Sequence, residues 1–279
     1  MQLRCLSSVL SLERTAIMGV LNVTPDSFSD GGLWLEPDAA IKHGLEMIDQ
    51  GAAIVDVGGE STRPGAEEVP EDEELRRVLP VIEGLVSAGV GFISIDTRKP
   101  SVAARAVEAG ANIINDTAGE ESDRSMDGVA AETGAAIVIM HSRGTPATMK
   151  SLTQYDDVSR DVVTFLEGRA RELQRNGVRE ESIVLDPGIG FAKTAAQSAT
   201  LLRDLALLVD KGFPVLVGAS RKSFIGQLLG LEEGRRVEAT VATTAWAVSS
   251  GASLVRVHDV EPNVDGARMI EAIVQTGGD

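Results

Sequence analysis

The sequence predicts an α/β protein that folds as a single (β/α)8 TIM barrel, with a short N-terminal extension forming a β-hairpin before the first barrel strand. Eight short, β-branched segments alternate with longer amphipathic segments along the chain, and such alternation is typical of parallel strands connected by helices. Polar residues end most of the eight segments, and barrel enzymes collect functional residues at the carboxyl ends of their strands. The length of 279 residues suits one barrel of about 250 residues.

Each barrel strand is predicted from its own apolar run. The strand segments are 15–22, 53–56, 91–96, 111–115, 136–141, 182–186, 213–218 and 253–258, and the clearest helical segments are 38–50, 75–88, 101–109, 157–176 and 237–249. Residues 1–14 precede the first barrel strand, so we expect them to form a hairpin that closes the bottom of the barrel. No interdomain linker interrupts the pattern, and no Gly-x-Gly-x-x-Gly motif follows the first strand. One domain is therefore predicted over 1–279.

Composition and charge exclude several classes of protein. The chain is 43% hydrophobic and 24% charged, which is typical of a globular protein with a large core. The single Cys5 cannot form an internal disulfide, the N-terminus is too weakly apolar for a signal peptide, and no apolar run approaches the roughly 20 residues of a membrane span. We therefore expect a cytoplasmic protein without membrane contact. The net charge of −16 argues against nucleic-acid binding.

Strand periodicity predicts where the strand-terminal polar side chains point. In segment 93–96 the two isoleucines share one face and should pack outward on helices, so Asp96 should point into the barrel mouth. The same alternation places Arg256 and His258 together on the inner face. Any one such residue could be a cap or turn residue, but the pattern recurs on most strands: Asn22, Asp56, Asp96, Asn115, Asp186, Arg256 and His258.

Several motifs together resemble those of one enzyme family. They are NVTPDSFSDGG at 22–32, DVGGESTRPG at 56–65, IDTR at 95–98, IND at 114–116, MH at 140–141, LDPGIGFAK at 185–193, GASRK at 218–222 and VRVHD at 255–259. In this order they closely resemble the motifs of the dihydropteroate synthases. The resemblance implies a TIM-barrel homodimer that uses Mg2+ to join a pterin diphosphate to 4-aminobenzoate. It implies small-molecule substrates only.

The pterin needs a particular set of polar partners. Its 2-amino-4-oxo edge requires a carboxylate, an amide and a cationic donor, and Asp186, Asn115 and Lys222 supply that set. The resemblance assigns the same positions to the pterin and adds Asp96, and we expect Met140 and Phe191 to line the slot. Structural alternatives are a cap in an Asp-Pro turn for Asp186, a turn residue for Asn115 and a solvated lysine for Lys222.

Loss of diphosphate needs charge neutralisation. Arg256 offers a planar fork for phosphate oxygens, and His258 offers a second donor on the same face. The resemblance places Mg2+ at Asn22. It also places Thr62 beside the diphosphate. It also implies a dissociative reaction, in which Asp96 stabilises the positive charge that develops on the pterin. The alternative for Asp96 is a structural pair with Arg98 or Lys99.

The aromatic amine is largely unprotonated at neutral pH, so no dedicated general base is required. We expect Ser220 to bind the aminobenzoate carboxylate, with Phe28, Thr62 and Pro64 as walls. By resemblance, the two long loops close over the diphosphate with help from Asp30 and Arg63.

Two charged residues within these motifs are expected to have structural roles, and the role of a third residue is not assigned. For Lys193 and Arg221 we expect solvation or a structural ion pair, and His141 remains open.

Two other functions are compatible with parts of this pattern. A pterin-binding methyltransferase barrel shares the pterin anchors but lacks the long first loop and the Ser-Arg-Lys element. A catalytically silent paralogue would bind pterin only, and it would not need Asn22, Thr62, Arg256 and His258.

Overall fold

The computed structural model describes residues 1–24, 37–61, 66 and 68–275, and it confirms the predicted barrel. A two-stranded hairpin, β1 (Gln2–Cys5) and β2 (Ser8–Ser11), precedes eight parallel strands. The barrel strands are β3 (Ala16–Asn22), β4 (Ile54–Gly58), β5 (Ile93–Asp96), β6 (Ile113–Asp116), β7 (Ala136–Met140), β8 (Ile183–Asp186), β9 (Leu216–Val217) and β10 (Leu254–Val257). The described α-helices are α1 (Pro37–Asp49), α2 (Glu71–Ser87), α3 (Pro100–Glu108), α4 (Ser125–Thr133), α5 (Val158–Arg175), α6 (Ala195–Arg203), α7 (Ala206–Val209), α8 (Ser223–Leu229), α9 (Val237–Ser249) and α10 (Val260–Gln275).

The strands follow one another around the barrel in the hydrogen-bonded order β8-β7-β6-β5-β4-β3-β10-β9. The last gap is closed by a parallel bridge between Leu185 and Val215, next to a 2.9 Å bond from the amide of Leu185 to the carbonyl of Pro214. β9 is much shorter than the predicted segment 213–218. Pro214 has no N–H for a sheet hydrogen bond, which limits pairing at the start of this segment.

Alternation along the strands separates two apolar clusters. Ile93, Ile95, Val255 and Val257 belong to the cluster between the barrel and the helices, as the sequence predicts. The intervening side chains point into the barrel. The inner positions near the carboxyl ends are therefore left for polar residues.

The N-terminal hairpin fills the opposite end of the barrel. Leu3 and Cys5 are fully buried against the inward residues Met18, Ile54 and Val184. Burial raises the pKa of the Cys5 thiol to about 12, so the thiol stays protonated. The predicted closure of the barrel bottom is therefore observed.

No helix among the described residues is long and apolar enough to cross a membrane.

Candidate active site

Neighbouring strands place the candidate groups at one level of the barrel mouth. Asn22, Gly58, Asp96 and Asn115 are successive partners across β3, β4, β5 and β6. A Cβ atom at Gly58 would lie 3.8 Å from Asn22 Oδ1 and 3.8 Å from Asp96 Oδ2. The amide of Asn22 and the carboxylate of Asp96 therefore flank this glycine.

Arg256 links two strands of the barrel mouth through a pair of carboxylates. Its Nε donates to Asp56 Oδ2 at 2.6 Å, and its Nη2 donates to Asp96 Oδ2 at 2.6 Å. Asp56 is fully buried. The sequence marked Asp56 as a strand-terminal polar residue but gave it no role, because strand periodicity does not reveal where a long arginine side chain ends.

The structural alternative for Asp96 is wrong. Arg98 and Lys99 both pair with Glu60, and Lys99 also pairs with Glu74. The ion pairs of these two cations are thus with Glu60 and Glu74, whereas the ion-pair partner of Asp96 is Arg256. Asp96 therefore belongs to the mouth.

Two buried carboxylates share one guanidinium, and the pKa values of Asp96 and Arg256 are both shifted. Burial raises the pKa of Asp96 to about 7, with a further increase from Asp56, while Arg256 and a hydrogen bond from Thr117 act in the opposite direction. Burial lowers the pKa of Arg256, but Asp56 and Asp96 outweigh this and hold it above its usual value. The guanidinium is thus permanently charged, whereas Asp96 titrates near neutral pH.

Asn115 is oriented by the Asp56 carboxylate. Its Nδ2 donates to Asp56 Oδ2 at 3.1 Å. Its buried Oδ1 has no hydrogen-bond partner within the described part of the chain. A buried amide oxygen without a partner is costly, and it is available to an N–H donor of a ligand.

Asp186 and Lys222 lie on the neighbouring side of the mouth. Asp186 is almost fully buried, and its Oδ1 accepts a 2.7 Å bond from the amide of Gly188. Burial raises the pKa of Asp186, against the effect of Lys222. Burial also lowers the pKa of Lys222 to about 8. This lysine is held by the Ile189 carbonyl, so it is not a freely solvated side chain.

Lys222 lies between Phe191 and Arg256. Its Nζ lies 4.3 Å from the centre of the Phe191 ring. A Cβ at Gly218 would be 3.9 Å from Lys222 Nζ and 4.0 Å from Arg256 Cδ. Met140 is buried at the end of β7 as the register partner of Asp186. The structure therefore brings the two predicted lining residues to the same side of the mouth.

Ser220 and His258 touch each other. His258 Nδ1 lies 3.0 Å from Ser220 Oγ, and the amide of His258 donates to the same oxygen at 3.1 Å. The sequence assigned these residues to two subsites, the aminobenzoate and the diphosphate. The contact brings the loops after β9 and β10 together at Ser220 and His258.

Expectations for the remaining charged residues are met only in part. Arg221 forms an ion pair with Asp259, as expected. Lys193 is not solvated, and it forms no salt bridge with the described residues, because its Nζ is buried against His141 and the backbone. His141 is itself buried, and burial, followed by the charge of Lys193, lowers its pKa to about 2.

The proposed loop residues Phe28, Asp30, Thr62, Arg63 and Pro64 lie outside the described residues. In the ranges that the structure covers, no group of three or more His, Cys, Asp or Glu side chains could hold a metal ion.

Comparison with known proteins identifies similar chains. A family model described as pterin binding enzyme matches residues 18–258. The dihydropteroate synthase of Bacillus subtilis is 47% identical over 266 residues, which cover 95% of this chain and 91% of that protein. A structure of Xanthomonas albilineans dihydropteroate synthase with 4-aminobenzoic acid has a TM-score of 0.91 at 43% identity and covers 98% of both chains. A second structure of that enzyme, in complex with 7,8-dihydropteroate, has a TM-score of 0.89 at 40% identity and covers 98% of this chain and 99% of that one.

Proposed function

The chain belongs to the dihydropteroate synthases, and from this premise we propose how its barrel mouth carries out the reaction. The protein condenses (7,8-dihydropterin-6-yl)methyl diphosphate with 4-aminobenzoate to give 7,8-dihydropteroate and diphosphate, a step of folate biosynthesis. One observation carries the proposal: a carboxylate, an amide, an ammonium and a doubly paired guanidinium converge over one mouth. The methyltransferase reading is not supported by the named relatives.

The pterin is held by its polar edge. The Asp186 carboxylate accepts from the 2-amino group and the adjacent ring N–H, and the Lys222 ammonium donates to the ring oxygen or nitrogen. The unpartnered Oδ1 of Asn115 accepts a further ring donor. Phe191 and Met140 cover the faces of the bicycle.

Ionisation precedes attack. The bond between the exocyclic methylene carbon and the diphosphate oxygen breaks, and both electrons leave with the diphosphate. The cation that remains is stabilised by the ionised carboxylate of Asp96. The nitrogen of 4-aminobenzoate then attacks the methylene carbon and loses one proton to solvent or to the departing diphosphate.

The diphosphate is neutralised by Arg256 and His258, with Thr62 as a further donor. The fit of Mg2+ depends on Asn22, whose amide oxygen lies at the mouth beside the Asp96 carboxylate. Hard oxygen ligands of this kind suit Mg2+, which takes its other ligands from water and phosphate. When bound, Mg2+ would neutralise charge on the leaving group.

The aminobenzoate subsite is proposed beside the diphosphate. Ser220 Oγ contacts His258, which places a hydroxyl group for the carboxylate next to the leaving group. Phe28, Pro64, Arg63 and Asp30 are proposed to complete the subsite from the two loops.

The test of the function is diphosphate release by the purified protein. Release is expected only when the pterin diphosphate, 4-aminobenzoate and Mg2+ are all present, and dihydropteroate should accumulate in equal amount. Pterin binding without any turnover would instead identify a silent paralogue.

We predict that Lys222→Ala and Asp186→Ala each weaken binding of the pterin diphosphate, because each removes a charge-assisted hydrogen bond worth about 1.5 to 3 kcal/mol. This corresponds to a loss of roughly 10-fold to 150-fold in affinity. Isothermal titration calorimetry measures the effect. Lys150→Ala, a change at an exposed lysine in the loop after β7, should leave the affinity unchanged, and unaltered binding by both site variants would remove them from the pterin site.

We also predict ordered binding of the second substrate. 4-Aminobenzoate should bind appreciably only in the presence of diphosphate and Mg2+, because the proposed subsite includes residues of the two long loops. Equilibrium binding of 4-aminobenzoate with and without diphosphate and Mg2+, and with EDTA added, checks this. Equal affinity under all conditions would contradict loop-dependent assembly.

We propose that two copies of the chain associate through α9 and α10. Trp246, Met269 and Ile273 are each at least half exposed on these adjacent helices, and burial of exposed large apolar side chains favours association. Sedimentation equilibrium should give about twice 29.3 kDa, and Met269→Glu with Ile273→Glu should give monomer. A monomeric parent protein would refute the proposal that this surface forms a dimer.

A cytoplasmic location is proposed because Cys5 is a buried free thiol.

A further inference from the structure

The segment between β8 and α6 has an unusual backbone. We call residues 187–193 the strap. Gly188, Gly190 and Ala192 have φ angles of 67°, 81° and 49°, and for an L-residue such as alanine this left-handed region is unfavourable. A Cβ at Gly188 would lie 1.9 Å from the carbonyl oxygen of His141. The strap therefore runs tightly against the end of β7, and its conformation needs support from outside.

Lys193 supplies such support from the end of the strap. Its Nζ lies 2.9 Å from the carbonyl oxygen of Phe191, 3.1 Å from the carbonyl oxygen of His141 and 3.0 Å from His141 Nδ1. Only 8% of the residue is exposed. An ammonium group has three donors, and each has an acceptor here. The contacts connect the strap to the residue that follows β7.

These contacts persist in either protonation state. Burial lowers the pKa of Lys193 well below 10.5, with Lys222 and Arg143 acting in the same direction and Asp186 against it. As an ammonium, Lys193 donates to both carbonyls and to His141 Nδ1. As a neutral amine it donates to both carbonyls and accepts from the alternative tautomer of His141. The role of Lys193 therefore lies in its hydrogen bonds.

The strap carries groups that form the pterin pocket. Its Gly188 amide donates to the Asp186 carboxylate. Its Ile189 carbonyl accepts from Lys222, and its Phe191 ring lies under the same ammonium. Displacement of the strap would disturb all three groups.

We propose that Lys193 is a positioning residue for pterin binding, whose hydrogen bonds hold the strap in the conformation that presents the pterin-binding groups. This inference rests on the proposed function. Without these bonds the carbonyls of His141 and Phe191 lose a donor, and other strap conformations compete with the binding-competent one. The apparent dissociation constant then rises in proportion to the lost competent fraction.

The test compares Lys193→Met with the parent protein. We expect the dissociation constant for the pterin diphosphate, measured with Mg2+ by calorimetry, to rise about tenfold or more. The KM for 4-aminobenzoate at saturating pterin should stay unchanged, because the three groups that the strap holds belong to the proposed pterin pocket. Lys193→Gln keeps two donors on an uncharged group and should restore part of the affinity.

Lys211→Met is the matched control, since Lys211 is a partly exposed lysine that pairs with Glu167 on the outer layer. It should bind pterin as the parent does. Folded Lys193→Met with parental pterin affinity would overturn the inference. So would a loss that affects both substrates equally and follows the folded fraction measured by circular dichroism. Absence of turnover in the parent would instead count against the proposed function.

Discussion

Replacement of Arg256 by methionine is expected to abolish nearly all dihydropteroate synthesis and to destabilise the protein. Arg256 is the cation shared by the buried carboxylates of Asp56 and Asp96. Breaking a buried ion pair by removing one partner costs about 3 to 5 kcal/mol, because an uncompensated charge remains. The diphosphate also loses its guanidinium, and removal of one such group lowers kcat by roughly 100-fold to 1,000-fold.

The loss of stability in Arg256→Met should depend on pH, and this separates it from the loss of activity. Arg256 lowers the pKa of Asp96, so without Arg256 this carboxyl group should retain its proton to higher pH. The stability difference from the parent should therefore shrink as pH falls and grow as pH rises. Urea unfolding at several pH values measures stability, and diphosphate release measures activity. Arg203→Met is a suitable control, because Arg203 pairs with Asp204 in an exposed position where an ion pair contributes little to stability. Parental activity in Arg256→Met would exclude this residue from the reaction.

Asp96→Asn is expected to lower kcat by roughly 100-fold to 1,000-fold, because the carboxylate that stabilises the developing pterin cation is lost. The amide is nearly the same size and can still accept a hydrogen bond, so pterin affinity should change much less. Steady-state kinetics of diphosphate release and calorimetry with the pterin diphosphate separate kcat from binding. Asp56→Asn removes the other carboxylate at Arg256, and it should affect pterin binding through Asn115 more than kcat.

Asp96 should also leave a signature in the pH dependence. Its pKa is raised from 3.8 to about 7, and the ionised form is the active one, so kcat/KM should rise as pH increases through about 7. For stability the sign is opposite. The folded state holds the proton more tightly, so the contribution of Asp96 is fully present below pH 3.8 and is lost as pH rises through about 7. In Asp96→Asn the corresponding rise in kcat/KM and the corresponding slope in stability should both disappear, and an unchanged pH profile would contradict the assignment.

Most of the barrel could be predicted from the sequence because each strand carries a local signal. Alternating apolar residues fix both the strand and its outer face, which is why the inward direction of Asp96 and Arg256 followed from Ile93, Ile95 and Val257 alone. Segment 213–218 was the exception. Its pairing depends on Pro214 and on how the barrel closes, and neither is visible in local periodicity.

Side-chain partners were harder to predict than side-chain direction. The ion pair of Arg256 with Asp56 joins residues 200 positions apart, and only the barrel geometry brings them together. Lys193 was expected to be solvated or paired, because that is the usual environment of lysine. Its actual acceptors are mainly backbone carbonyls, which no residue pattern specifies.

The hairpin that packs against Met18 and Ile54 affects how reactants enter and leave the barrel. Because the hairpin fills that end, we expect reactants to enter and leave at the other end of the barrel, where the described strands carry their polar residues. Diphosphate and dihydropteroate must leave by the route through which the next pair of substrates enters. Diphosphate that stays bound at the barrel mouth would therefore delay the next cycle, so added diphosphate should slow turnover.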